Sequence, residues 1–278
     1  MARPLLITVG ARSIALTLLG ALTVNLGTKF PLGYVGAMPI IDVNDATAAV
    51  VAGRAPLRGY LARPMGAGPW PGVVVIHEIF GLDAMTQRHA DRIAAAGYLT
   101  LAVDLYSAGG ALRCLVSVMR ALMKGEGRAY LDIETARLWL KRSPECTGSV
   151  GVIGFCMGGG FALLTVDTGF DVAAVNYGEM PRHKDDPFEG ACPIVGSYGA
   201  HDRTLKNAAS KLDDALTKVG VVHDVKEYPN AGHSFLNDRP VGPRPLRPLL
   251  RIAGIRPEPD SAADAWKRIE EFFASYLH

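Results

Sequence analysis

Beyond residue 55 the chain alternates short apolar runs with longer stretches of helical period. Segments 57–61, 73–76, 99–103, 150–153, 172–177, 194–198 and 221–228 read as strands. The second, fourth and sixth are continuous apolar runs, the pattern of strands covered on both faces. Helices are predicted between them. Asp83 is placed to cap one that reaches about Ala95, a second runs from about Arg128 to Lys141 ahead of Pro144, and a third opens at Cys156 and ends near Thr168-Gly169. Leu205, Ala208, Ala209, Leu212, Leu216 and Val219 form a stripe that stops at Gly220. The last helix starts at Ser261, with Asp264 placed for a capping box. Ala265, Ile269, Phe272 and Tyr276 make one face of it. Both stripes read as core. Strands alternating with helices predict an α/β domain with a mostly parallel central sheet and helices on both faces.

Three segments depart from this rhythm. Residues 107–127 carry apolar positions interleaved with Arg113, Arg120 and Lys124 and suit a cap helix. Residues 237–259 are rich in Pro and Arg without a clear period. Long irregular segments in compact domains are commonly lids or binding loops. Residues 1–37 form an apolar extension, and domain-like sequence occupies 38–278. Within the extension, 14–26 is free of charge but shorter than a membrane span, and lengthening it back to residue 5 brings in Arg12. Export with cleavage near Val35-Gly36-Ala37, anchoring through residues 5–26, and a surface-packed or poorly ordered extension all stay open.

Composition narrows the classes further. The formal charge of +2 gives no electrostatic case for nucleic acid. Cys114, Cys146, Cys156 and Cys192 have neither zinc-site nor disulfide-scaffold spacing. Reduced thiols suit a cytoplasmic protein, with export or anchoring as the alternative. His77-Glu78 starts no zinc motif, because Gly81 stands where the second histidine is required. No metal and no cofactor are expected. The expected partner is a small-molecule substrate, for a monomer or small homo-oligomer.

The chemistry centres on Gly154-Phe155-Cys156-Met157-Gly158-Gly159-Gly160, directly after the apolar run 150–153. A buried strand that breaks into Gly-x-nucleophile-x-Gly is the form of a nucleophile elbow, here carrying a thiol instead of a hydroxyl. A thiol nucleophile needs a base and a group to orient that base. Asp202 follows the strand at 194–198, and His233 follows the strand at 221–228. The order nucleophile, acid, histidine, each just past a strand, is that of the α/β-hydrolase fold. Glu179, after the strand at 172–177, is a second candidate acid.

Three segments carry a resemblance. Glu78-Ile79-Phe80-Gly81 follows an early strand, Gly154 to Gly159 forms the elbow, and Ala231-Gly232-His233-Ser234-Phe235 surrounds the histidine. Over roughly residues 56–278 the chain resembles the dienelactone hydrolases (carboxymethylenebutenolidases). The resemblance implies a lactone or ester hydrolase with Cys156 as nucleophile, His233 as base and Asp202 as its orienter. It implies an oxyanion hole from the backbone N–H groups of Ile79 and Met157. It also implies a Glu78 that contacts the resting thiol and helps to generate thiolate, and a pocket role for Tyr177. Family founders hold a substrate carboxylate with arginines. Here Asn237 stands at one such place, leaving Arg113, Arg120 and Arg239 as candidates.

Two other classes compete. Gly151, Gly154 and Gly158 after a strand suggest a dinucleotide-binding oxidoreductase, although Gly-x-Gly-x-x-Gly is missing and the strand is not the first of its sheet. A non-catalytic ligand binder on the same fold is the other.

Overall fold

The computed structural model describes residues 40–42, 57–181, 188–242, 245 and 247–278. The apolar extension 1–37, with its targeting and anchoring alternatives, lies outside them, as do positions 243, 244 and 246 of the segment 237–259.

The strands are β1 (Ile40–Asp42), β2 (Arg58–Ala62), β3 (Trp70–Ile76), β4 (Leu99–Val103), β5 (Cys146–Phe155), β6 (Ala173–Asn176), β7 (Ile194–Gly199) and β8 (His223–Tyr228). They form one sheet in the order β1-β2-β4-β3-β5-β6-β7-β8. From β4 through β8 every pairing is parallel, while β1–β2 and β2–β4 are antiparallel. The helices are α1 (Ala84–Ala95), α2 (Ala111–Lys124), α3 (Arg128–Arg142), α4 (Met157–Leu164), α5 (Ala208–Val219), α6 (Arg247–Ile252) and α7 (Pro259–Tyr276). Among the described residues no helix is long and apolar enough to cross a membrane.

Two cores lie on opposite faces of the sheet, and β3 shows why. Val74 and Ile76 pack with residues of α2, α3, α4 and α5, whereas Val73 and Val75 pack with residues of α1 and α7. Alternate side chains of a strand leave by opposite faces, so an unbroken apolar run needs a cover on each. Residues 73–76 and 150–155 are buried throughout.

Local signals set several boundaries. Asp83 caps α1, its Oδ1 accepting from the Met85 and Thr86 N–H groups. Gly220 closes α5 in the left-handed conformation. Residues 107–127 do hold a helix, α2, and the irregular segment 237–259 contains α6.

Other boundaries differ from the pattern reading. α4 ends at Leu164 rather than near Thr168, and the Thr165 hydroxyl donates back to the Phe161 and Ala162 carbonyls. α7 starts at Pro259, with the Glu258 carboxylate accepting from the Ser261 N–H as its cap. Asp264 makes no capping box. Its carboxylate accepts from Lys226 Nζ and the Tyr228 hydroxyl of β8. A tertiary donor pair competed with the local one.

Candidate active site

In a parallel array all strand C-termini lie at one edge, where open α/β sheets bind ligands. The segments following β3, β4, β5, β6, β7 and β8 there carry Glu78, Tyr106, Cys156, Tyr177, Asp202 and His233.

Cys156 sits between β5 and α4 with φ 55° and ψ −116°, a strained backbone for a residue with a side chain. The sharp turn exists because its flanks are glycine. A Cβ on Gly154 would stand 2.0 Å from the Gly158 oxygen, and one on Gly158 would stand 2.2 Å from the Ile76 oxygen. These glycines are consumed by close backbone packing of α4 against β5 and β3, which accounts for them without a phosphate ligand. The Cys156 N–H donates to the Asn176 carbonyl at 3.1 Å, tying the elbow to β6. Met157 is the first residue of α4, where backbone N–H groups have no intrahelical acceptor.

His233 Nδ1 hydrogen-bonds the Asp202 Oδ2 at 2.5 Å, and the Cys156 thiol acts on the same ring electrostatically. Asp202 Oδ1 accepts from the Thr204 N–H at 2.9 Å and the Thr204 hydroxyl at 2.6 Å, so both carboxylate oxygens are engaged. Asp202 is buried, and its burial opposes ionisation. The bonds from His233 and Thr204 outweigh that and hold its pKa below the ordinary carboxylate range. Burial likewise opposes a charged His233, yet Asp202 and Cys156 together raise its pKa well above the usual imidazole value. Glu179, the other candidate acid, is exposed.

Glu78 is buried, and burial raises its pKa, opposed by His233, Asn237 and Ser234. Its Oε1 accepts from Asn237 Nδ2 at 3.1 Å and the Tyr177 hydroxyl at 3.3 Å. Among the described residues none of its hydrogen bonds runs to Cys156; the carboxylate faces the histidine side of the site. Tyr177 is buried, with φ 42°, and its ring lies 5.1 Å from that of His233.

Arg113 lies on the exposed first turn of α2 with its stem over Gly109. Arg120 is exposed on the same helix. Arg239 is exposed, with Asp238 at 4.0 Å.

Three participants have no role assigned from the sequence. Asn237 is buried, and its Oδ1 lies 2.7 Å from Nε2 of His89, a buried histidine of α1 stacked on Phe155. Burial pushes the His89 pKa down to about 4, so the ring is neutral and donates to the amide oxygen. The third is Tyr106, whose hydroxyl donates to the Ile79 carbonyl at 2.9 Å. The signal for His89 was present in the chain. It occupies the apolar stripe of α1 with Met85, Ala90 and Ile93, where a polar residue requires a partner.

The dienelactone hydrolase family model matches residues 57–277. The chain belongs to the dienelactone hydrolase family. Membership makes it a hydrolase of lactones or carboxylic esters. Among its relatives, a carboxymethylenebutenolidase-like protein of Methylorubrum extorquens is 28% identical over 235 residues, covering 78% of this chain and 76% of the relative. A similarly named protein of Escherichia coli K12 is 28% identical, covering 78% and 82%. A dienelactone hydrolase-type structure from Klebsiella pneumoniae superposes with a TM-score of 0.67 at 24% identity, over 86% of this chain and 98% of that one. A dienelactone hydrolase-like promiscuous phosphotriesterase from metagenomic libraries gives 0.71 at 24%, over 87% and 100%. These structural likenesses establish the α/β-hydrolase fold.

Proposed function

We propose that this dienelactone hydrolase family member cleaves an uncharged lactone or carboxylic ester through a Cys156-His233-Asp202 triad and an acyl-thiol intermediate. The observation that carries the reading is the Asp202–His233 hydrogen bond beside Cys156, whose thiol raises the His233 pKa from a strained glycine-flanked turn. His233 takes the thiol proton, and the sulfur attacks the carbonyl carbon. The resulting oxyanion is held by the Ile79 and Met157 N–H groups. Collapse breaks the C–O bond to the leaving oxygen, which receives its proton from His233. His233 then deprotonates a water that attacks the acyl-thiol, releasing the acid and restoring the thiol. In a lactone the leaving hydroxyl stays tethered to the acid.

Glu78 stands beside His233: burial raises its pKa, and when ionised its charge favours the imidazolium formed as the thiol ionises. An uncharged substrate is favoured because Asn237 is buried and engaged at both ends of its amide, by His89 and Glu78.

Turnover of p-nitrophenyl acetate by Cys156→Ala tests the triad. Activity should drop at least about a thousandfold with the melting temperature retained, in keeping with the loss of a covalent nucleophile. A variant that keeps wild-type turnover would remove Cys156 from the chemistry. In the wild type, iodoacetamide should label Cys156 ahead of Cys114, Cys146 and Cys192, since the thiolate is the reactive species.

A further inference from the structure

We propose that His77 and Tyr106 are positioning residues that aim the Ile79 N–H at the substrate carbonyl oxygen by gripping the backbone carbonyls on either side of it. The inference rests on the reading of Cys156 as nucleophile and Ile79 as oxyanion donor.

In a trans peptide the C=O of one residue and the N–H of the next are coplanar and point in opposite directions. Whatever holds the Glu78 oxygen therefore aims the Ile79 N–H. His77 Nδ1 lies 2.6 Å from the Glu78 oxygen, and His77 Nε2 lies 3.1 Å from the Leu105 nitrogen. A backbone N–H can only donate and a carbonyl can only accept. Nε2 is thus unprotonated, and Nδ1 carries the proton given to Glu78. Only the neutral ring serves both partners, and complete burial keeps it neutral by lowering its pKa. The Gly81 N–H adds a second donor to the same oxygen at 3.1 Å.

Tyr106 holds the next peptide plane. Its hydroxyl donates to the Ile79 carbonyl at 2.9 Å and lies 3.8 Å from Met157 Sδ, next to the other proposed donor residue. The tyrosine is itself fixed, with its N–H donating to Asp104 Oδ1 at 2.9 Å and its ring 4.9 Å from that of His77. Gly81 leaves room for this ring, since a Cβ there would stand 3.0 Å from Tyr106 Cδ2. His77, anchored by the Leu105 N–H, and Tyr106 therefore hold the Ile79 backbone from two sides.

A merely structural link between the two loops is the competing explanation, and two reactions of the same sulfur separate the cases. Ester hydrolysis builds an oxyanion, whereas alkylation by iodoacetamide displaces iodide at a saturated carbon and builds none. Both require Cys156 and His233. The variants are Tyr106→Phe, His77→Leu and His77→Gln, whose amide can donate to Glu78 and accept from Leu105. The readouts are kcat and KM on p-nitrophenyl acetate and the alkylation rate at Cys156.

Removing one oxyanion donor outright costs a factor of about 100 to 1000, and losing its aim should cost part of that. Tyr106→Phe should lose about tenfold and His77→Leu about a hundredfold in kcat. In both, KM and the alkylation rate should stay within about twofold, and His77→Gln should recover most of the lost kcat. Wild-type kcat in Tyr106→Phe and His77→Leu overturns the proposal. So does a parallel fall of hydrolysis and alkylation, or a His77→Gln as impaired as His77→Leu. If His77→Leu fails to fold, Tyr106→Phe decides, because it keeps the ring and removes only the hydroxyl. Failure of the nucleophile reading would show separately, as retained turnover in Cys156→Ala.

Discussion

The Cys156 elbow and the Glu78 pocket meet at the same sheet edge but are held by opposite means. The elbow is shaped by absence. Gly154 and Gly158 have no side chains, and backbones close to distances that a Cβ would forbid. The pocket is shaped by presence. Glu78, Tyr177, Asn237 and His89 form a buried polar chain in which each side chain supplies or accepts a hydrogen bond. Steric shape tolerates nothing larger. A hydrogen-bonded chain tolerates replacements that reproduce its donors and acceptors, and it responds to pH.

The largest effect should come from filling the elbow. Gly158→Ala puts a methyl 2.2 Å from the Ile76 oxygen, on a strand that cannot retreat from the middle of the sheet. A loss of about 4 kcal/mol or more is expected, seen as failure to fold or a large fall in denaturation midpoint. Gly220→Ala is the control. That glycine has φ 73° with open space around it, so only backbone strain of about 1 kcal/mol applies. Equal stabilities for the two variants would remove crowding as the cause.

The pocket should break more gently. Asn237→Leu takes one donor from Glu78 and the acceptor from His89, at about 2 kcal/mol of stability. Asn237→Gln retains both groups on a longer stem and should lose less. Urea denaturation of both variants checks this, and a Leu variant as stable as the wild type would show that the chain contributes nothing net.

The effect that vanishes at neutral pH is a pH slope. His89 is neutral when folded, with a pKa near 4 against 6.5 when free. Between those values the unfolded chain binds a proton that the folded chain does not, so stability falls as pH drops through that window. His89→Gln should flatten the slope by up to about 1.4 kcal/mol per pH unit while leaving stability above pH 7 less affected. Melting temperatures at pH 4.5, 5.5 and 7 measure it. Parallel curves for variant and wild type would mean that His89 titrates normally.

The contrast also explains what could be read from the chain. The strands at 73–76, 150–153 and 194–198 were visible because burial on both faces leaves a continuous apolar run. Cys156 was visible because the turn leaves glycines at fixed offsets around the nucleophile. Asp202 and His233 were visible by their order after strands, and the structure joins the two by a hydrogen bond. Asn237 was noticed only as a departure from arginine, and its bond to His89 links residues 148 positions apart. Asp264 reads locally as a helix cap because its partners, Lys226 and Tyr228, lie 38 and 36 positions away in sequence.

By itself, then, the chain's order of residues determined the layered sheet, the elbow and the identity of the triad candidates. Those follow from local rules: side-chain period, glycine spacing and position after a strand. The tertiary structure alone decided which way Glu78 faces, which nitrogen of His77 carries its proton, and what holds the Ile79 peptide. Each of these depends on a donor or acceptor delivered from another strand or helix, and no local pattern specifies that arrival.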